Sequence, residues 1–152
     1  MIKKVSTKKV AVKKKKVAVK KTTSKKAAVK KKFFNSEEQL IAAIIKGIEE
    51  KKGNDIVKLN LKETGNSFAD YFVICHATNK IQVEAIAKSI QEEVYKITKE
   101  TPKHVEGLQN AEWILLDYFN VVVHVFQKDQ REYYGIERFW ADASIRQIKD
   151  IY

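Results

Sequence analysis

The chain has 152 residues, 30 of them basic and 19 acidic, for a formal net charge of +11, which is one ordinary domain with some length to spare. Its one cysteine, Cys75, excludes an intramolecular disulfide and points to a reducing compartment. No run approaches the ~20 apolar residues of a membrane span, and the N-terminus lacks the apolar segment of a secretory signal, so the expectation is a cytoplasmic protein without a membrane partner.

The average charge hides a division. The first 32 residues carry 15 lysines and no acid, a charge of +15, while the rest of the chain carries −4. Residues 1–32 repeat Val-Ala-Val or Ala-Ala-Val phrases between lysine pairs. Such a segment cannot bury enough apolar surface to offset its ordering entropy, so it is expected to be a disordered tail. Its lack of Arg argues against a mitochondrial transit peptide. Its densest run, Lys13, Lys14, Lys15 and Lys16, suits a polyanion such as nucleic acid, which lysines attract without reading bases. The plainer alternative is a solubilising tail. Residues 33–152 are expected to form the folded domain.

Taken in chain order, Ser36 opens a helix with Gln39 at capping-box spacing and Glu37 and Glu38 at its positive end. Leu40, Ile41, Ile44, Ile45 and Ile48 form its apolar stripe, and Gly53-Asn54 is a stop signal. Asp55–Leu61 reads as a strand, Glu63–Ser67 as a loop and Phe68–Ala77 as an interior strand. Thr78 or Asn79 caps a second helix whose apolar positions run from Val83 to Ile97. Pro102 ends that stretch and starts a short extended piece through Gly107. A strand–helix–strand unit of this length favours a parallel pair.

Glu112–Tyr118 and Val121–Gln127 read as two strands joined by Phe119-Asn120, an antiparallel hairpin. Asp129, with Glu132 three residues on, is expected to cap a last helix through about Trp140. The fold class is therefore α/β, a mixed sheet of roughly five strands with about three helices.

Catalytic parts are few. His76, His104 and His124 stand isolated, with no zinc-ligand spacing. His124, inside an apolar strand, reads as a hydrogen-bonded core histidine. Cys75 and His76 are adjacent strand residues that point to opposite faces and cannot easily form a thiolate pair. Gly65-Asn66-Ser67 before Asp70 resembles the loop of a nucleotidyltransferase, in which two carboxylates hold metal ions. The second acid would sit two residues on, and that residue is Phe72. The expectation is no catalytic residue, no metal and no cofactor.

The strand Glu112–Tyr118 is more informative. Alternation puts Trp113, Leu115 and Asp117 on one face and Glu112, Ile114, Leu116 and Tyr118 on the other. Trp113 is either core under a second layer or an exposed anchor on an uncovered sheet face. Residue pattern alone leaves these even.

Five segments together carry a resemblance: Asp70–Cys75, His104–Gly107, Ala111–Tyr118, Val121–Phe126 and Tyr133–Ala143. In that order they resemble the ribosomal silencing factor family (the RsfS or iojap-like proteins), over roughly residues 36–145. The resemblance implies a nucleotidyltransferase-like fold without catalytic acids, which agrees with Phe72. It implies a non-enzymatic factor that binds the large ribosomal subunit through ribosomal protein fourteen and blocks joining of the small subunit, repressing translation. It also implies a homodimer when free. Carried over by motif, the contact tryptophan is Trp113, with Leu115, Asp117, Tyr118, Asp70, Tyr71, Glu106 and Glu112 as further partner-binding candidates. The acidic body would meet a basic ribosomal protein, and the lysine tail could contact rRNA.

Two other classes compete with this reading. One is a nucleic-acid-binding protein driven by its lysine tail, and the other is a residual nucleotidyltransferase.

Overall fold

The computed structural model describes residues 36–65 and 68–149. The expectations for residues 1–32, Lys13–Lys16 among them, and for Asn66 and Ser67 lie outside the described residues.

Helix α1, Ser36–Glu50, starts with Glu37 and Glu38 in its first turn and buries Leu40, Ile41, Ala43, Ile44, Gly47 and Ile48. Its stop is made differently from the expected glycine turn. Lys52 takes the left-handed conformation at φ 55°, and the Gly53 N–H closes back on the Ile48 carbonyl at 3.0 Å. Gly53 is required for space: a Cβ there would lie 2.4 Å from Ile48 Cγ2. Helix α2, Lys80–Thr98, is capped by Asn79, whose side chain accepts the Gln82 N–H at 2.9 Å. The two helices meet at Gly47, where a Cβ would lie 2.6 Å from Ile90 Cα. Beside that crossing Lys46 Nζ reaches Glu93 Oε2 at 2.6 Å.

The strands are β1 (Asn54–Asn60), β2 (Tyr71–Ala77), β3 (His104–Glu106), β4 (Trp113–Asp117), β5 (Val121–Gln127) and β6 (Ser144–Ile148). They form one six-stranded sheet in the order β3-β4-β5-β2-β1-β6. The β4–β5 hairpin is antiparallel, as its short connection of three residues, Tyr118, Phe119 and Asn120, requires. The parallel pair is β2 with β5, not β2 with the extended piece that follows α2. That piece, β3, is three residues long, largely exposed, and pairs antiparallel with β4 at the sheet edge. The reason is burial: Val121 through Phe126 are all buried, and a strand apolar on both faces belongs in the sheet interior.

Two further elements depart from expectation. The last helix is short: α3 spans Lys128–Tyr134, Gly135 turns left-handed at φ 51°, and a 3-10 turn covers Ile136–Trp140. Gln127 occupies the cap position without a side-chain bond, so Asp129 lies within the first turn and does not cap it. The sixth strand, Ser144–Ile148, is an exposed edge pairing with β1. Its side chains show no in-and-out alternation of apolar and polar, which is the signal a sequence reading needs.

The sheet has two unlike faces. One packs under α1 and α2, with Val73, Cys75, Ile114, Leu116, Tyr118, Val123 and Val125 in the main core. The other carries a smaller cluster, Leu59, Phe72, Ile74, Val122 and Phe126, against which Trp113, Leu115, Ile136 and Trp140 pack in part. Among the described residues, the short segment after β5 lies over this second face through Ile136 and Trp140.

Candidate functional site

Register places the candidate residues. Leu115 pairs with Glu106 on β3 and with His124 on β5, and Trp113 pairs with Phe126. In-register neighbours point to the same side, so Trp113, Leu115, Asp117 and Glu106 share the second face with His124 and Phe126. The face at this edge of the sheet is only partly covered: Trp113, Leu115 and Asp117 are half-buried and Glu106 is exposed.

Trp113 is neither simple core nor a free anchor. Its ring stacks on Phe126 with centroids 4.8 Å apart and leans on Tyr134 at 5.1 Å. Its indole N–H donates to His124 Nδ1 at 3.2 Å. An indole nitrogen can only donate, so His124 Nδ1 accepts and its proton sits on Nε2. Burial holds His124 down to about 4, which keeps the ring neutral. His124 also meets the Phe72 ring edge-on at 4.7 Å, and Phe72 meets Trp140 at 5.6 Å. The expectation of a hydrogen-bonded core histidine at position 124 holds, and the residue it bonds is the tryptophan at issue.

The remaining candidates separate from this group. Tyr118 is 4% exposed and packs in the main core under the helices. It therefore lies on the side away from Trp113 and does not join that group. Tyr71 packs against that same core, with the Lys58 and Lys62 ammonium groups 4.4 and 5.0 Å from its ring centroid. Glu112 pairs with Lys80 at 3.1 Å, at the start of α2. Asp70 sits where the chain enters β2, its N–H donating to the Asn120 carbonyl at 2.8 Å. Asp117 keeps its place on the face, but its Oδ1 accepts the Phe119 N–H at 2.7 Å and so braces the hairpin turn.

Reading by sequence missed a second polar centre. Arg131 on α3 donates to the Asp55 carbonyl at 2.7 Å, to Glu137 Oε1 at 2.8 Å, and to His76 Nδ1 at 3.0 Å. Burial and the Arg131 charge hold His76 below the usual histidine range. These side chains line a cleft of about 480 Å³ beyond the ends of β2 and β5. Arg131, His76 and Glu137 satisfy one another, which is how a structural clamp fastens α3 to the sheet. No sequence signal marks Arg131, because its partners lie six to 76 positions away.

The chemistry expected to be missing is arranged as follows. Cys75 faces the main core, and burial pushes its thiol up to about 12, far from a thiolate. His76 lies on the opposite face, at the Arg131 clamp. Phe72, in the second-carboxylate position, is buried between aromatic rings. Among the described residues, no group of three or more His, Cys, Asp or Glu side chains could hold a metal ion. No helix among them is long and apolar enough to cross a membrane.

A family model described as "Ribosomal silencing factor during starvation" matches residues 34–151. A Halalkalibacterium halodurans protein named ribosomal silencing factor RsfS is 37% identical over 119 residues, covering 76% of this chain and 97% of that one. A Bacillus subtilis protein of the same name is 35% identical over 113 residues, covering 74% and 94%. A crystal structure of a Chromobacterium violaceum protein superposes with a TM-score of 0.65 at 30% identity, covering 71% of this chain and 88% of that one. With the family model, the named relatives and the solved fold in agreement, the chain belongs to the ribosomal silencing factor family.

Proposed function

We propose that the protein is a non-enzymatic cytoplasmic factor that binds the large ribosomal subunit through ribosomal protein fourteen and excludes the small subunit by steric overlap. The observation that carries this is the partly uncovered Trp113, fixed by Phe126 and His124 on a sheet face that the two long helices do not cover. A rigid aromatic ring with a wet edge is the side chain that most often dominates an interface. Leu115 beside it adds apolar area. Glu106 and Asp117 add acidic character toward a basic partner, which steers encounter more than it adds affinity.

The lysine-rich segment 1–32, which lies outside the matched region, would contribute a salt-sensitive attraction to rRNA. A homodimer in the absence of the ribosome belongs to the same reading.

The experiment is co-sedimentation of the full chain, of residues 33–152 and of Trp113→Ala with purified large and small subunits. Retention of 33–152 on the large subunit alone, lost in Trp113→Ala, is the expected result. Full-length protein adhering equally to both subunits, with 33–152 adhering to neither, would place the activity in the lysines and end this reading.

A further inference from the structure

The β4–β5 turn displays an aromatic ring in a way that the Trp113 face does not use. Phe119 is 77% exposed and holds a φ of 75°, a conformation that a bulky side chain rarely adopts. The Asn120 N–H closes on the Tyr118 carbonyl at 3.1 Å, a tight turn centred on Phe119. Asp117 Oδ1 fixes the Phe119 N–H at 2.7 Å, and the Asn120 carbonyl takes the N–H groups of both Asp70 and Tyr71. The ring therefore stands on a braced support.

Beside it runs a groove of about 780 Å³ between this turn and the end of α2, lined by Lys99, Glu100, Thr101, Lys103, Tyr118 and Phe119, with Asn120. Two of its side chains are cationic. Lys99 sits at the helix end in the left-handed conformation, its ammonium 5.4 Å from the Tyr95 ring centroid. Lys103 is tied in place by its N–H on the Asp117 carbonyl at 2.6 Å. Glu100 is the one acid in the lining. Tyr118 contributes a buried hydroxyl that has no hydrogen-bond partner among the described residues.

We propose that this groove binds single-stranded RNA, with a base stacked on Phe119 and the flanking phosphates held by Lys99 and Lys103. An exposed, braced aromatic face next to spaced lysines is the arrangement that single-stranded nucleic acid requires, because only unpaired bases offer a free face. Duplex RNA would present phosphates without such a face. An acidic peptide would use the lysines, gain nothing specific from the ring, and meet Glu100 unfavourably. The inference goes beyond the subunit-binding reading and stands without it, since it requires RNA alone and not ribosomal protein fourteen.

The test is NMR titration of the ¹⁵N-labelled full chain with hexauridylate, because shifts localise binding even when the lysine-rich segment also binds. The amides of Lys99, Lys103, Phe119 and Asn120 are expected to shift and saturate together. Phe119→Leu is expected to weaken that binding by about 5- to 150-fold, the usual range for one stacked base, whereas Phe119→Tyr retains it. Shifts confined to residues 1–32, equal groove binding by Phe119→Leu, or equal groove shifts with hexaglutamate would each overturn the proposal. Loss of subunit co-sedimentation in Trp113→Ala bears on the other site and leaves this outcome unchanged.

Discussion

The indole N–H of Trp113 donates to His124 Nδ1 at 3.2 Å, diagonally across the β4–β5 pair. The proposed contact residue and the buried His124 are thus one unit. Protonating the imidazole at Nδ1 breaks the unit, since that nitrogen cannot both accept the indole N–H and carry a proton of its own.

That relationship fixes a pH dependence. Burial lowers the folded-state pKa of His124 to about 4 from the ordinary histidine value of 6.5. Between these limits the unfolded chain takes up a proton that the folded chain refuses, so stability is full above the unfolded value and falls as pH drops toward the folded one. The loss is roughly 3 kcal/mol at most. His76, shifted in the same direction by burial and Arg131, steepens it. Urea midpoints measured from neutral pH downward should fall, and His124→Gln should flatten the slope. A flat profile in the parent protein would show that His124 is not held neutral.

Trp113→Ala removes a ring that is half-buried rather than core. It should cost about 2 kcal/mol of stability, below the range for fully buried aromatics, and leave a folded protein. Affinity for the large subunit should fall about 30- to 1,000-fold, as for a central aromatic anchor. Trp113→Phe keeps the stack on Phe126 but loses the N–H donor, and should fall between. Thermal melts run beside the co-sedimentation separate the two effects; a Trp113→Ala protein that is unfolded would make the residue structural.

Arg131 joins α3 to the β1 start, to His76 and to Glu137 through one guanidinium. A lysine has the charge without the planar fork. Arg131→Lys should destabilise the protein by about 2 kcal/mol. Hydrogen exchange should show α3 and the 3-10 turn opening first, with Tyr134 leaving Trp113. Unchanged protection in that segment would mean that the aromatic contacts, not Arg131, hold it down.

Gly107 joins β3 to the loop before β4 at φ 84°, and a Cβ there would lie 1.9 Å from the Trp113 carbonyl oxygen. Backbone cannot yield as a side-chain tip can. Gly107→Ala should therefore displace the β3 edge, costing about 2–3 kcal/mol, and should weaken subunit binding by moving Glu106 off the Trp113 face. The check is a urea melt together with co-sedimentation; full stability would show that the loop relaxes around the added methyl.

Local patterns carried much of the architecture. The apolar stripes of α1 and α2, the Asn79 cap and the β4–β5 hairpin are all written in residues a few positions apart, where period and turn chemistry act. So is the alternation that separates Trp113 from Ile114. The motif set from Asp70 to Ala143 also carried the resemblance to the family that the family model and the relatives show.

What the tertiary structure decided lies at longer range. Whether Trp113 is covered depends on how far the segment after β5 reaches over the sheet, and Gly135 ends its helix early. Tyr118, which alternation already sets on the face away from Trp113, is buried because α1 and α2 cover that side of the sheet. His124 becomes the tryptophan's acceptor only once β4 and β5 are in register, and Arg131 finds Asp55 across 76 positions. Spacing along the chain sets which way each side chain points. What it meets there is set by the elements that pack against it.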